Sequence, residues 1–313
     1  MPLGTTPLIT ILGGGGFIGR YVCEALFKTG SRLRVAGRDP LKAFFLQPLA
    51  AIGQLDLVGA DLARPETIAR AVEGASAVIN LVGIFKGDLQ AIHVDGAGHA
   101  AKAARDAGAS AFVQVSALGV SPDSASAYGR SKALGEAAVR DAFAQATIVR
   151  PSVVFGPEDE FTNRFAQLAQ FPVLPVIAPA TRFQPLFVRD LGQAIAAAAL
   201  DPGRFGGRTF ELGGPDVMTM RDLNGRVAAM AGRSPALVDV PDLVSGGMAR
   251  LGFLPGAPLS KDQWLMLQTD NVVSEDASGI DAFGIVPTPM EVVAPDWLGR
   301  FVRGGRFAAR ATA

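Results

Sequence analysis

Residues Leu8-Ile9-Thr10-Ile11-Leu12 form a short apolar, β-branched run that enters Gly13-Gly14-Gly15-Gly16 directly. Phe17-Ile18-Gly19 then opens a helical pattern continued by Tyr21, Val22, Ala25 and Leu26. Strand, tight turn and helix in that order constrain the chain more than any other feature, because they form the first unit of a dinucleotide-binding fold. The glycines answer separate steric needs. One permits a turn at positive φ, one lets backbone approach a pyrophosphate, and one lets the helix press on the strand. The helix N-terminus adds unpaired N–H groups and partial positive charge for phosphates. Gly13, Gly15, Gly16, Phe17, Ile18 and Gly19 are therefore candidate cofactor contacts, and Gly13, Gly16 and Gly19 read G-x-x-G-x-x-G.

A chain of 313 residues has room for one large or two smaller domains. With 49% hydrophobic and 19% charged residues it reads as an ordinary globular protein. The 29 basic and 29 acidic residues cancel, so no global basic field points to nucleic acid. The single cysteine, Cys23, excludes an internal disulfide and argues against a thiolate metal site; it reads as a small core residue of the first helix. His93 and His99 stand six apart, off a common helical face, so no metal site is expected. No run of eighteen apolar residues occurs, and Met1-Pro2-Leu3-Gly4-Thr5-Thr6 lacks the basic start of a secretory signal. The expectation is a cytoplasmic protein, or one peripheral on the cytosolic face of the inner membrane.

Beyond the first helix, strands are expected at 32–36, 55–59, 77–83, 111–116 and 147–150. Helical patterns intervene, notably at about 95–107 and 133–143. That alternation implies a parallel, doubly wound Rossmann sheet of the α/β class. At the end of the second strand an NAD enzyme usually carries an acid for the ribose 2′-hydroxyl, whereas an arginine accommodates a 2′-phosphate. Here Gly37 takes that place and Arg38 follows, which favours NADP(H) over NAD(H). From Pro151 on, proline becomes frequent. The division expected is 1–155, completed by about 186–213, as the nucleotide domain, with 156–313 as a smaller, mainly helical substrate lobe.

With Phe17-Ile18 inside its glycine run, the segment resembles the extended and atypical short-chain dehydrogenase/reductase superfamily. Tyr128-Gly129-Arg130-Ser131-Lys132 strengthens the resemblance, since tyrosine and lysine four apart share one helix face. The resemblance implies that Tyr128 moves a proton at a substrate oxygen while a hydride passes to or from nicotinamide. It implies too that Lys132 lowers the phenol's pKa toward the working range. It also implies an adenine contact at Asp61-Leu62, a cofactor-side run at Leu81-Val82-Gly83, and a turn from Arg150 through Pro151 and Val153 to Pro157. Asp61 has an alternative as a cap of the following helix. The family's hydroxyl past the fifth strand is displaced. Ala117 falls at that position, Ser116 precedes it, and Ser121 and Ser124 are substitutes, so Ser116 stands as third catalytic candidate.

Val115-Ser116-Ala117-Leu118-Gly119, Thr181-Arg182-Phe183-Gln184-Pro185, Glu211-Leu212-Gly213-Gly214-Pro215, Leu259-Ser260-Lys261-Asp262-Gln263 and Asp270-Asn271-Val272-Val273 narrow the resemblance. They occur together in bacterial proteins similar to the NADPH-binding accessory subunit of respiratory complex I. Three functions are then open: an NADP(H)-dependent oxidoreductase or epimerase on an unknown small molecule, a nucleotide-bound accessory or assembly subunit, and an NADP(H) redox sensor. The C-terminus bears on partners. Arg300, Arg303, Arg306 and Arg310 interleave with Trp297, Leu298, Phe301, Val302 and Phe307. A helix over 294–303 would present apolar and cationic stripes to a membrane surface or a respiratory partner, or else pack on the small domain.

Overall fold

β1 (Leu8–Leu12), β4 (Ala77–Asn80) and β5 (Ala111–Val115) are buried almost throughout, as parallel strands covered on both faces must be. The computed structural model describes residues 6–250 and 259–302. β2 (Arg32–Gly37) and β3 (Leu55–Gly59) lie on one side of β1. On the other side lie β4, β5, β6 (Thr147–Pro151) and the strand Thr209–Leu212. All seven run parallel, in the order Thr209–Leu212, β6, β5, β4, β1, β2, β3. The strand order reverses between β1 and β4, so the crevice outside their C-terminal ends is where such a sheet binds ligands.

α2 (Pro65–Val72), α3 (Gly96–Asp106) and α4 (Ala127–Ala142) cover a core that includes Leu12, Ile68, Val78, Ala100, Phe112, Val139 and Ile148. α1 (Phe17–Phe27) packs against the helix Val188–Leu200. Their contact is backbone to backbone: a Cβ on Gly192 would lie 2.8 Å from the carbonyl carbon and oxygen of Tyr21. Cys23 is fully buried in α1, and burial raises its thiol to about 12, so it stays an unreactive core group.

Several boundaries differ from the sequence reading for local reasons. β4 ends at Asn80 rather than Gly83, because the Asn80 side chain accepts the Val82 N–H (3.1 Å) and turns the chain. The helix expected from 95 starts earlier, as a π-turn over Gln90–Asp95 that runs into α3. α4 begins at Ala127, where the Ser126 hydroxyl accepts the Gly129 N–H (3.1 Å).

The chain divides into two compact units. The first comprises the chain up to Pro151, Val188–Leu212 and Ser274–Val286. The second comprises Ser152–Phe187, Gly213–Val273 and the chain from Pro287 on. The return of Ser274–Val286 to the first unit was not expected. Its first residue is tied by the Ser274 N–H to the Glu211 carboxylate (2.9 Å), and Arg208 bonds Ser278 (3.2 Å). The second unit carries short strands beside its helices. It pairs Val173–Ile177 with Ala236–Val240 in parallel and adds two shorter pairs beside its helices.

The expected helix over 294–303 is not continuous. Pro295, which has no N–H to give, starts a separate turn (Pro295–Leu298), followed by a 3-10 turn (Gly299–Phe301). Within the second unit Trp297 stacks near Phe187, Leu298 is fully buried, and Arg300 donates to Asn163 (2.7 Å). Arg303, Arg306, Phe307 and Arg310 lie outside the described residues. Among the described residues no helix is long and apolar enough to cross a membrane.

Gly192→Ala should destabilise the first unit by about 1–3 kcal/mol, because the added methyl has backbone in its way and the helix pair must part. Urea unfolding of the two proteins checks it.

Candidate functional site

The glycine turn is built as a cradle. Gly13 adopts φ +80°, where a side chain would be strained, and a Cβ there would also meet Val82 at 3.1 Å. Gly19 lies on the Gly14 backbone so closely that a Cβ would fall 2.3 Å from the Gly14 oxygen. Gly16, the exposed N-cap of α1, has little near its Cβ direction beyond the Gly13 carbonyl. That open side faces a helix start whose first turn holds no acid. The cradle is the shape and polarity a pyrophosphate requires, and it fits a dinucleotide.

At the end of β2, Arg38 is exposed and makes no hydrogen bond or ion pair to another described residue. The neighbouring acid, Asp39, accepts the Leu41 N–H (3.2 Å) and caps the 3-10 segment Pro40–Leu49. Arg20 lies over the Phe45 ring of that segment, 4.2 Å from its centroid. Asp61 accepts the Ala63 N–H (3.0 Å) in the turn before α2, and Leu62 is a core residue against Gly96. Pro151 ends β6 and accepts the Leu118 N–H (3.0 Å), whereas Val153 belongs to the second unit and donates its N–H to Asn271 (2.8 Å).

The C-terminal ends of β4 and β5 are cross-linked by side chains. Asn80 donates to Gln114 (2.9 Å), and Gln114 donates to the Val115 carbonyl (3.1 Å). The Lys132 ammonium, buried on α4, donates to that same carbonyl at 2.7 Å. Gly83 completes the corner, its Cβ direction ending 4.0 Å from Lys132 Nζ and 3.9 Å from His93 Nε2. Ser116 follows the carbonyl that Lys132 holds. Among the described residues its buried hydroxyl has no hydrogen-bond partner, while Ser121 and Ser124 accept backbone N–H groups in the turn before α4. An orphaned buried hydroxyl one residue past the Lys132-bound carbonyl fits a ligand oxygen.

Tyr128 is enclosed by two rings. Phe85, 60% exposed, stacks on its face (centroids 4.7 Å, planes 20° apart), and His93 meets it edge-on at 5.4 Å. Burial pushes the Tyr128 phenol up to about 12, the reverse of the direction expected from its lysine neighbour. The reason is desolvation, which penalises the phenolate. Burial likewise pulls Lys132 down to about 8, with Glu136 acting against it. His93 accepts the Ile84 N–H at Nε2 (3.0 Å), so the ring proton sits on Nδ1 and is given to Ser131 Oγ (2.8 Å). Ser131 in turn donates to the Tyr128 carbonyl (2.9 Å). His93 therefore pins the residue next to Phe85 to the helix that bears Tyr128.

Gly13, Val82, Gly83, Ser116 and Lys132 are thus brought to one corner of the first unit. Phe85, Gln114 and the His93–Ser131 link had no sequence signal beyond proximity to motifs. Among the described residues no group of three metal-ligating side chains assembles.

A family model described as NAD(P)H-binding matches residues 13–168. NADH dehydrogenase (ubiquinone) 1 alpha subcomplex subunit 9, mitochondrial, of Mus musculus is 33% identical over 300 residues, covering 93% of this chain and 79% of that protein. Ceramide reductase of Caulobacter vibrioides is 35% identical over 243 residues, covering 75% and 74%. Among solved structures, an NADPH-dependent quinone oxidoreductase from Escherichia coli complexed with NADPH shares the fold at TM-score 0.75 and 20% identity, covering 91% of this chain and 98% of that one.

Burial holds His93 neutral, its folded pKa lowered from 6.5 to about 4, so the unfolded chain binds more protons between those values. Its contribution to stability is complete above pH 6.5 and is lost as pH falls toward 4, by about 3 kcal/mol over the window. His93→Gln should flatten that part of the profile, as read by urea unfolding at pH 4.5, 5.5 and 7.

Proposed function

Since the chain belongs to the NAD(P)H-binding short-chain dehydrogenase/reductase superfamily, in the atypical branch that contains complex I alpha subcomplex subunit 9, we propose that it is an NADP(H)-dependent reductase of a small-molecule carbonyl. The observation that carries this reading is the orphaned Ser116 hydroxyl next to the Lys132-bound carbonyl of β5, with Tyr128 one helical turn from Lys132. NADPH, when bound, supplies the hydride. The residues of the chain do the rest. Gly13, Gly16 and Gly19 take the pyrophosphate, and Gly83 leaves room beside Lys132. Ser116 donates its idle hydrogen bond to the substrate oxygen. Tyr128, protonated at neutral pH, gives the proton that the developing alkoxide needs.

A phenol held protonated favours reduction over oxidation, and favours carbonyl reduction over an epimerisation that must first abstract a proton. For NADP(H) the support is Arg38, exposed after Gly37 and unpaired among the described residues, with Asp39 committed to its own turn. A second reading, a nucleotide-bound accessory or assembly subunit of a respiratory complex, is favoured by the match to the mitochondrial subunit along 93% of the chain. Both readings use the same nucleotide cradle. They part at Tyr128.

The test is single-turnover oxidation of bound NADPH, followed at 340 nm, with a panel of quinones and long-chain ketones. Tyr128→Phe should keep NADPH affinity within about twofold and lower the hydride-transfer rate by about 10²–10⁴, the range of general acid catalysis. Persistence of full rate in the variant would remove Tyr128 from the reaction. No oxidation with any carbonyl, together with co-sedimentation with respiratory membranes, would favour the accessory role.

Arg38→Asp should weaken NADPH by about 1.5–3 kcal/mol, the scale of a charge-assisted hydrogen bond, and leave NADH nearly unchanged. Calorimetry with both nucleotides checks it, and equal losses for the two would assign Arg38 another task.

A further inference from the structure

Tyr128, Lys132, Glu136 and Arg140 follow one another at intervals of four along α4, so phenol, ammonium, carboxylate and guanidinium stand in line on one helix face. The first three are buried, Glu136 most deeply at 2% exposed. A carboxylate in that position is costly unless cations and hydrogen bonds compensate it. Arg150, near the end of β6, does so in bidentate fashion, with Nε 2.9 Å from Oε1 and Nη2 2.8 Å from Oε2. Arg140 adds a longer contact from the solvent side (3.4 Å). Arg150 also reaches Glu211 on the adjacent strand (3.4 Å), whose other oxygen takes the Ser274 N–H.

The groups around Lys132 come from α4, the π-turn, β5 and β6. On α4 they are Tyr128 and Glu136. From the π-turn comes His93, which burial keeps neutral. From β5 comes the Val115 carbonyl, a dipole with no net charge. Arg150 on β6 and Glu211 beyond it stand behind Glu136 and answer each other. Glu136 is thus the carboxylate set to balance the Lys132 ammonium, and Arg150 competes for it.

We propose that Glu136 is a positioning residue for the Tyr128–Lys132 pair: its carboxylate, fixed by Arg150, is the counter-charge that keeps a buried ammonium at Lys132, and Arg150 limits how much of that charge Lys132 feels. The inference rests on reading Tyr128 and Lys132 as the reactive pair, but its electrostatic content is measurable without a substrate. Without Glu136, desolvation would act on Lys132 unopposed and the amine would lose its proton near working pH. A neutral amine could still bond the Val115 carbonyl, yet it would no longer steady negative charge at the Tyr128 oxygen.

The experiment uses the full chain carrying ¹³Cε-labelled lysine, with Lys132 assigned among the six lysines by the resonance missing in Lys132→Arg. Glu136→Gln should increase the acid dissociation constant of Lys132 about tenfold or more. Arg150→Gln should move it the opposite way, because it removes a cation and releases Glu136. A network that only braces α4 against β6 would lower the melting temperature in both variants and leave the Lys132 titration where it is in wild type. That result overturns the proposal. If Glu136→Gln does not fold, Arg150→Gln decides: an upward shift supports the assignment, and an unchanged or lowered value overturns it. Failure of Tyr128→Phe to affect hydride transfer would instead defeat the reductase reading, and the Lys132 titration tells the two failures apart.

Discussion

The contact between Gly19 and Gly14 is the constraint on which the first unit depends. Helix α1 rests so close to its own turn that any side chain at residue 19 would overlap the Gly14 carbonyl. This closeness lets a five-residue strand feed a helix with only a four-glycine turn between them. It places the helix N-terminus over the C-terminal end of β1, the strand at the reversal point of the sheet. Gly192 repeats the device on the far side of α1, where the helix Val188–Leu200 closes on Tyr21 backbone. Two small residues therefore set the seat of α1 on both sides. The glycine turn inherits its rigidity from packing, not from a network of side chains.

Burial has a second effect at the corner made by β4, β5 and α4. Tyr128, Lys132 and His93 are each pushed toward the neutral form, at about 12, 8 and 4, because each loses water. Neutral tyrosine and histidine cost little to keep there. Lys132 is the exception, since its role in the proposed reaction requires charge. The hydrogen bond to Val115 is available to the amine in either state, and Glu136 acts to keep the proton on it. This is why the ion pairs around Glu136 are informative at a depth where ion pairs add little net stability.

The sheet was legible because its strands are short β-branched runs bounded by glycine and proline, and the strands of the parallel sheet fall within a few residues of their periodicity. The glycine turn and the Tyr128–Lys132 interval were legible for a related reason, since each is a local pattern with one steric or helical explanation. What stayed hidden depends on residues distant in sequence. Asn80 shortens β4 through its own side chain, yet it reads as one more strand residue. Ser274–Val286 returns to the first unit through Glu211 and Arg208, with no periodicity of its own. Phe85 lies in an unpatterned loop and meets Tyr128 only because His93 holds Ile84. Ser116 could not be separated from Ser121 and Ser124 by spacing. Their hydrogen bonds separate them, since two are used in a turn and one is not.

That unused hydroxyl also bears on whether the nucleotide serves chemistry or structure. A protein that needs a dinucleotide only as a stabilising ligand gains about 2.7 kcal/mol when the ligand is at a hundred times its dissociation constant. The glycine turn, the α1 N-terminus and Arg38 would suffice for that gain. Leaving Ser116 buried and unpaired works against it, at about 1–3 kcal/mol for an orphaned polar group. Desolvating Lys132 adds a further cost that a structural site has no reason to bear. Both costs lie at the corner of β4, β5 and α4, and neither at the glycine turn. They are offset when a ligand oxygen arrives to take the Ser116 hydrogen bond, and the carbonyl substrate proposed above is one ligand that would supply it.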